Sequence, residues 1–180
     1  MNSITVADYD STWPDTFEKL RDRLWPAIRQ HAERVEHVGS TSVPGLAAKP
    51  VIDMTIVVAD VARMAAVTEG LATVGYVHRG DLGIPGREAF FAPSDLPAHH
   101  LYACTEGNLG LRNHVAVRDY LREHPERAKA YGELKKQLAV AFPDDIDGYV
   151  DGKTAFLIDI LKACGFAGGD MDAIAGVNRK

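Results

Sequence analysis

Residues 51–58 read VIDMTIVV, and this run constrains the fold more than any other stretch of the chain. Most of its side chains are β-branched and few are polar. Such residues are stiff at χ1 and suit a pleated backbone, and the run lacks the apolar–polar alternation of a strand with one wet face. It predicts a strand buried on both sides. Asp53 is the exception inside it. A carboxylate flanked by Ile52 and Met54 stays buried and charged only if it has a partner. Asp53 therefore pairs with a cation or a metal, or it stands where the strand opens to a cleft.

The flanking segments fill in the architecture. Residues 35–38 predict a short strand, and 39–50, GSTSVPGLAAKP, a structured loop with room for one helical turn. Asp60 suits the cap of a helix over 61–73, which Gly75 ends. Strand, loop, strand and helix in this order point to an α/β or α+β sheet. Upstream, Trp13, Phe17, Leu20, Leu24 and Ile28 recur at three- and four-residue spacing. That stripe predicts an amphipathic helix of about five turns, with Asp10 or Ser11 as its cap and Pro14 in its first turn. Residues 76–79, 88–92 and 99–105 are short candidate strands. From 109 onward the pattern is helical, and Pro125 and Pro143 punctuate three segments that end near residue 163. One domain over 1–167 is expected, with a flexible Gly-rich tail over 168–180.

Composition excludes several classes. Lys plus Arg number 20 against 25 Asp plus Glu, a net charge of −5. A coat for long nucleic acid shows the opposite balance. No apolar run reaches the ~18 residues that span a bilayer, and the first residues lack a basic segment followed by an apolar one, so no membrane or export signal is expected. Cys104 and Cys164 form no close pair, which fits free thiols in a reducing cytoplasm.

The chemistry concentrates in HVGSTSVPGLAAKPVIDM, residues 37–54. Gly39 allows close backbone approach to a ligand, and Ser40 and Thr41 add hydroxyl donors beside backbone N–H groups. Lys49 brings a cation four positions before Asp53. Together these compose a phosphate cradle next to a carboxylate. The alternative is a glycine turn followed by a strand whose Asp53 pairs with Lys49 or an arginine.

This arrangement resembles the nucleotidyltransferase superfamily, the polymerase β-like fold. Its pattern is a Gly-Ser pair, about a dozen residues, and a strand carrying Asp-x-Asp. Gly39, Ser40 and Asp53 match; Thr55 stands where the second acid belongs. One branch is closer. The chain resembles the GrpB family over roughly residues 8–165, through residues 37–54, IPGREAFF at 84–91, HHL at 99–101, RNHVAVRDYLREHPE at 112–126 and YVDGKTAF at 149–156. The resemblance implies an α+β fold, with a small mixed nucleotidyltransferase-like sheet, flanking helices and a C-terminal helical layer. It also implies that Thr55 is a family trait. The family commonly reads His-His-Leu-His where this chain has Tyr102, which leaves one imidazole fewer on that strand. The same domain occurs fused to dephospho-coenzyme A kinase, a link to nucleotide or coenzyme metabolism.

Two functional readings follow. In the first, the chain is an enzyme that transfers a nucleotidyl or phosphoryl group to a small-molecule acceptor. Gly39, Ser40 and Thr41 hold phosphate, Asp53 binds Mg²⁺, and Glu88 or a water replaces the missing ligand. Lys49 and Arg118 neutralise charge on the transferring group, while Arg87 and Lys153 add phosphate contacts. His99 and His100 point to opposite faces of their strand, and His100 is the one expected in the cleft as ligand or acid–base group. The C-terminal helices would close one side of that cleft. In the second reading transfer is lost with the acid at Thr55, and the pocket only binds a nucleotide or coenzyme. Either way, the expected partner is a small phosphorylated ligand.

Overall fold

The computed structural model describes residues 3–171 and 174. They group into two compact units, each gathered from separate stretches of chain. A sheet unit comprises Thr12–Val38 and Val51–Leu111, and a helical unit comprises Met1–Ser11, Gly39–Pro50 and Arg112–Lys180. Because the chain passes from one unit to the other and back, no linker composition marks a boundary.

In the sheet unit the elements are α1 (Trp13–Ile28), β1 (Arg34–Val38), β2 (Ile52–Val58), α2 (Met64–Thr73), β3 (Val77–Gly80), β4 (Arg87–Phe91) and β5 (His99–Thr105). The stripe of α1 is buried as its spacing predicts, from Trp13 through Ile28. Its start differs from expectation. Thr12, not Asp10 or Ser11, holds the N-cap position with helical backbone angles and no side-chain cap. Pro14 in the first turn presets the helical φ, so the helix begins without a capping hydroxyl. Asp60 does cap, accepting from the Arg63 amide, but the turn it caps is a 3-10 turn over Val61–Arg63, and α2 begins only at Met64.

The strands form one sheet in the order β1-β2-β5-β4-β3. The β2–β5 pair is parallel and the other pairs are antiparallel. Residues directly opposite share a face, so the register sorts every side chain. One face carries His37, Met54, Leu101, Phe90 and His78. Helix α1 packs there, with the Phe17 ring stacked on His37 at 4.7 Å and 8°. The other face carries Val38, Asp53 and His100, then Glu36, Thr55, Tyr102 and Ala89, then Arg34, Val57, Cys104 and Arg87. As its composition predicts, β2 is buried along its length except at Asp53, which is half-buried.

At the start of β5, His99 is buried and fully engaged. Its Nδ1 lies 2.7 Å from the Pro97 carbonyl, so Nδ1–H donates, and its Nε2 accepts from the Tyr76 hydroxyl at 2.8 Å. Burial holds the imidazole pKa below 6.5 and pushes the Tyr76 phenol up to about 12.

The helical unit contains the C-terminal part of α3 (Leu109–Glu123), then α4 (Pro125–Ala141) and α5 (Ile146–Ala163). These three helices match the segments that the prolines punctuate. Their core joins Leu121, Ala128, Tyr131 and Ile160 to Val43 and Leu46 from the loop. An isolated bridge between Ala7 and Ala48 ties the N-terminal segment to the same loop. Residues 168–171 form a helical turn, where a frayed tail was expected, and most of the remaining tail lies outside the described residues. No helix among the described residues is long and apolar enough to cross a membrane.

Two tests follow. Gly70 sits where α2 meets α1, and a Cβ there would come 2.4 Å from the Ala27 carbonyl oxygen. Helix propensity alone favours Gly→Ala by up to ~1 kcal/mol. Gly70→Ala is nonetheless expected to destabilise the protein by about 1–3 kcal/mol, because rigid backbone must move. A neutral or stabilised variant in urea titration would refute that close packing. Separately, the unfolded chain binds a proton at His99 more readily than the folded one does. The stability contributed by neutral His99 is complete above about pH 6.5 and is lost as the pH falls below it. Thermal melting should therefore drop from pH 7 toward pH 5, and His99→Gln should flatten that slope relative to wild type.

Candidate functional site

The parallel register sets Asp53 of β2 directly beside His100 of β5. His100 Nδ1 lies 2.9 Å from Asp53 Oδ1. A carboxylate only accepts, so in the neutral imidazole the ring proton sits on Nδ1 and the lone pair is left on Nε2. The side chains are 56% and 30% exposed, enough for His100 to meet a ligand and for Asp53 to keep a second oxygen within reach of one. An imidazole aimed and held in one tautomer by a carboxylate can act as a general base. Neither residue belongs to a loop. Two paired strands fix both backbones, so the pair is preorganised.

Around this pair the same face continues with Tyr102, whose ring centroid lies 6.4 Å from that of His100. Burial raises the Tyr102 phenol pKa, and the Asp53 charge adds to the effect. The Arg87 guanidinium stacks over the Tyr102 ring at 4.5 Å. Arg87 Nε is buried and has no hydrogen-bond acceptor among the described residues. Burial pulls the Arg87 pKa below its ordinary value. Its free N–H suits an anionic oxygen. Tyr102 carries no sequence signal for this role, since it reads as an ordinary strand aromatic.

Glu88 departs from expectation. It pairs with Ala103 in the register and so lies on the face opposite Asp53 and His100. There it takes a 2.6 Å hydrogen bond with His78 Nε2. A one-residue step along a strand reverses the side chain, so Glu88 shares no site with Asp53. Thr55, two places along from Asp53 on its face, is buried and bears no carboxylate. Among the described residues no group of three His, Cys, Asp or Glu side chains is placed to hold a metal ion. A two-ion centre with charge at both metals does not fit this donor set. Asp53 Oδ2 would suit a single Mg²⁺ completed by waters and ligand phosphates, while Glu36, further along the same face, is held by Arg34.

The other expected residues belong to the helical unit. Gly39, at φ +71°, opens a 3-10 turn over Ser40–Ser42, where Ser42 Oγ donates to the Gly39 carbonyl. Thr41 is buried. Arg122 clamps this loop by donating Nε and Nη2 to the Ser42 carbonyl at 3.0 and 2.7 Å. Sequence reasoning does not reach Arg122, because the contact spans 80 positions. Lys49 ends the same loop, half-buried before Pro50. The Arg118 fork is held by its neighbour Asp119 at 2.7 and 3.3 Å, and Lys153 Nζ lies over the Tyr149 ring at 4.4 Å. Both cations thus have partners within the helical unit.

Known proteins fit this picture. The family described as "GrpB protein" matches residues 3–163. The UPF0157 protein YqkA of Bacillus subtilis is 38% identical over 154 residues, which are 86% of this chain and 45% of that protein. The chain thus spans less than half of that longer relative. A dephospho-CoA kinase of Mycolicibacterium paratuberculosis is 28% identical over 85% of this chain and 44% of its own length. Among solved structures, conserved protein GrpB from Enterococcus faecalis superposes with a TM-score of 0.79 at 34% identity, covering 94% of this chain and 99% of that one. Cid1 poly(U) polymerase bound to MgGTP superposes with a TM-score of 0.55 at 14% identity, over 74% of this chain and 44% of that one, a likeness of fold alone. With a family match over residues 3–163 and a solved GrpB structure superposing on 94% of its length, the chain belongs to the GrpB family.

Proposed function

We propose that the chain transfers a nucleotidyl or phosphoryl group from a nucleotide to a hydroxyl of a small acceptor, with His100 as general base. The observation that carries this reading is the 2.9 Å hydrogen bond from His100 to Asp53 on an accessible sheet face. His100 Nε2 takes the proton from the acceptor hydroxyl as its oxygen bonds to phosphorus. The bond from phosphorus to the leaving phosphate oxygen breaks, and the leaving group carries away that electron pair. Asp53 orients the imidazole and stabilises the imidazolium that forms. Arg87 N–H groups and the Tyr102 hydroxyl face the charge that develops on phosphorus-bound oxygens. A Mg²⁺ ion brought in on the phosphates and held at Asp53 Oδ2 would neutralise charge there. The dephospho-CoA kinase relative supports a nucleotide-bearing ligand class.

Thr55 favours a second reading, in which the same face binds a nucleotide without turning it over. One experiment separates the two. Nucleoside triphosphates are incubated with Mg²⁺ and a set of small polyols, with released pyrophosphate or phosphate measured alongside thermal shift. The first reading expects product, and a loss of roughly 10²–10⁴-fold in His100→Ala and Asp53→Ala. Full turnover in either variant would remove the dyad from the chemistry. Metal-independent stabilisation by nucleotide with no product supports the binding module instead.

A further inference from the structure

The row that holds Asp53 and His100 does not end with them. The last registered pair of β4 with β5 is Phe90 with Leu101, and the next residue, Phe91, continues β4 toward the His100 end of β5 and, by alternation, on the face of His100. Phe91 in turn pairs with Val77 of the edge strand β3. Both are large apolar side chains left in solvent, Phe91 at 56% and Val77 at 60% exposure. The register of β3 slips between His78 and Gly80, leaving Arg79 as the extra residue of a bulge. Bulges re-aim side chains. Here the Arg79 guanidinium lies over the Phe91 ring, 4.2 Å from its centroid. The result is an exposed cationic surface backed by an aromatic ring, on the strand next to that of His100.

We propose that Arg79 and Phe91 form the stacking platform for the planar heterocycle of the ligand whose phosphate lies at His100 and Arg87. This rests on the reading of the site as a nucleotide site and names the part of it that recognises the base. A guanidinium plane stacks on a heterocycle through its π-face, which a lysine ammonium cannot do. The same charge offsets the ligand's phosphate. Stacking reads any base, so the platform gives affinity with weak base preference, and the ribose spans the short gap to the imidazole.

The test is calorimetric titration of AMP, GMP, CMP, UMP and ribose 5-phosphate into the full chain with Mg²⁺ present. Phe91→Ala and Arg79→Lys are compared with wild type, and their thermal melting serves as a check of folding, since both side chains are exposed. Each variant should raise the Kd of every nucleotide that binds by about tenfold. Binding of ribose 5-phosphate, weaker in wild type than that of the nucleotides, should be the same in all three proteins. Nucleotide binding that is unchanged in Phe91→Ala, or ribose 5-phosphate weakened as much as AMP, would overturn the platform while leaving the nucleotide site intact. Wild-type protein that binds none of the nucleotides would overturn the site and the platform together.

Discussion

The parallel pairing of β2 with β5 is the interaction on which the rest depends. It sits at the centre of the sheet, and it alone joins strands that run in the same direction. Its register sets Asp53 against His100, Met54 against Leu101 and Thr55 against Tyr102. A slip of one residue would turn Met54 and Leu101 away from α1 and drive the acid and the imidazole into the helix-covered core. The apolar side chains of the covered face therefore hold the register that the polar face uses. Packing and chemistry are specified by the same ladder.

That ladder also decides which acids share a face with His100. On that face Thr55 stands two places from Asp53, the other acid, Glu36, is held by Arg34, and no carboxylate comes from β4 because Glu88 points the other way. Asp53 is instead hydrogen-bonded to an imidazole, the pairing on which the proposed base rests. Guanidinium groups take up the electrostatic load around it. Arg87 over Tyr102 and Arg79 over Phe91 repeat one motif on β4 and its neighbours, a cation over a ring. The overall charge of −5 thus coexists with a locally cationic sheet face.

Much of the fold is legible in the sequence. The β-branched run of β2, the apolar stripe of α1 and the proline punctuation of the C-terminal helices are local signals, and each element appears where its period predicts. Asp53 and His100 were each legible as candidates, the first as a carboxylate in an apolar strand and the second by alternation with His99. Their mutual hydrogen bond was not, since it joins positions 47 apart and depends on which strands become neighbours. The same limit applies to Glu88, whose facing is set by register, and to Arg122, whose grip on Ser42 is a tertiary contact. Arg79 owes its position to a bulge, which no residue type announces.

The central claim is that Asp53 fixes the His100 tautomer with Nε2 open. Long-range proton–nitrogen correlation NMR on the histidine rings reads this directly, without any substrate. In wild type, His100 should show the Nδ1-protonated neutral tautomer, and Asp53→Ala should shift it toward the Nε2-protonated form that free histidine prefers. An Nε2-protonated His100 in wild type, or a tautomer indifferent to the loss of Asp53, would contradict the account.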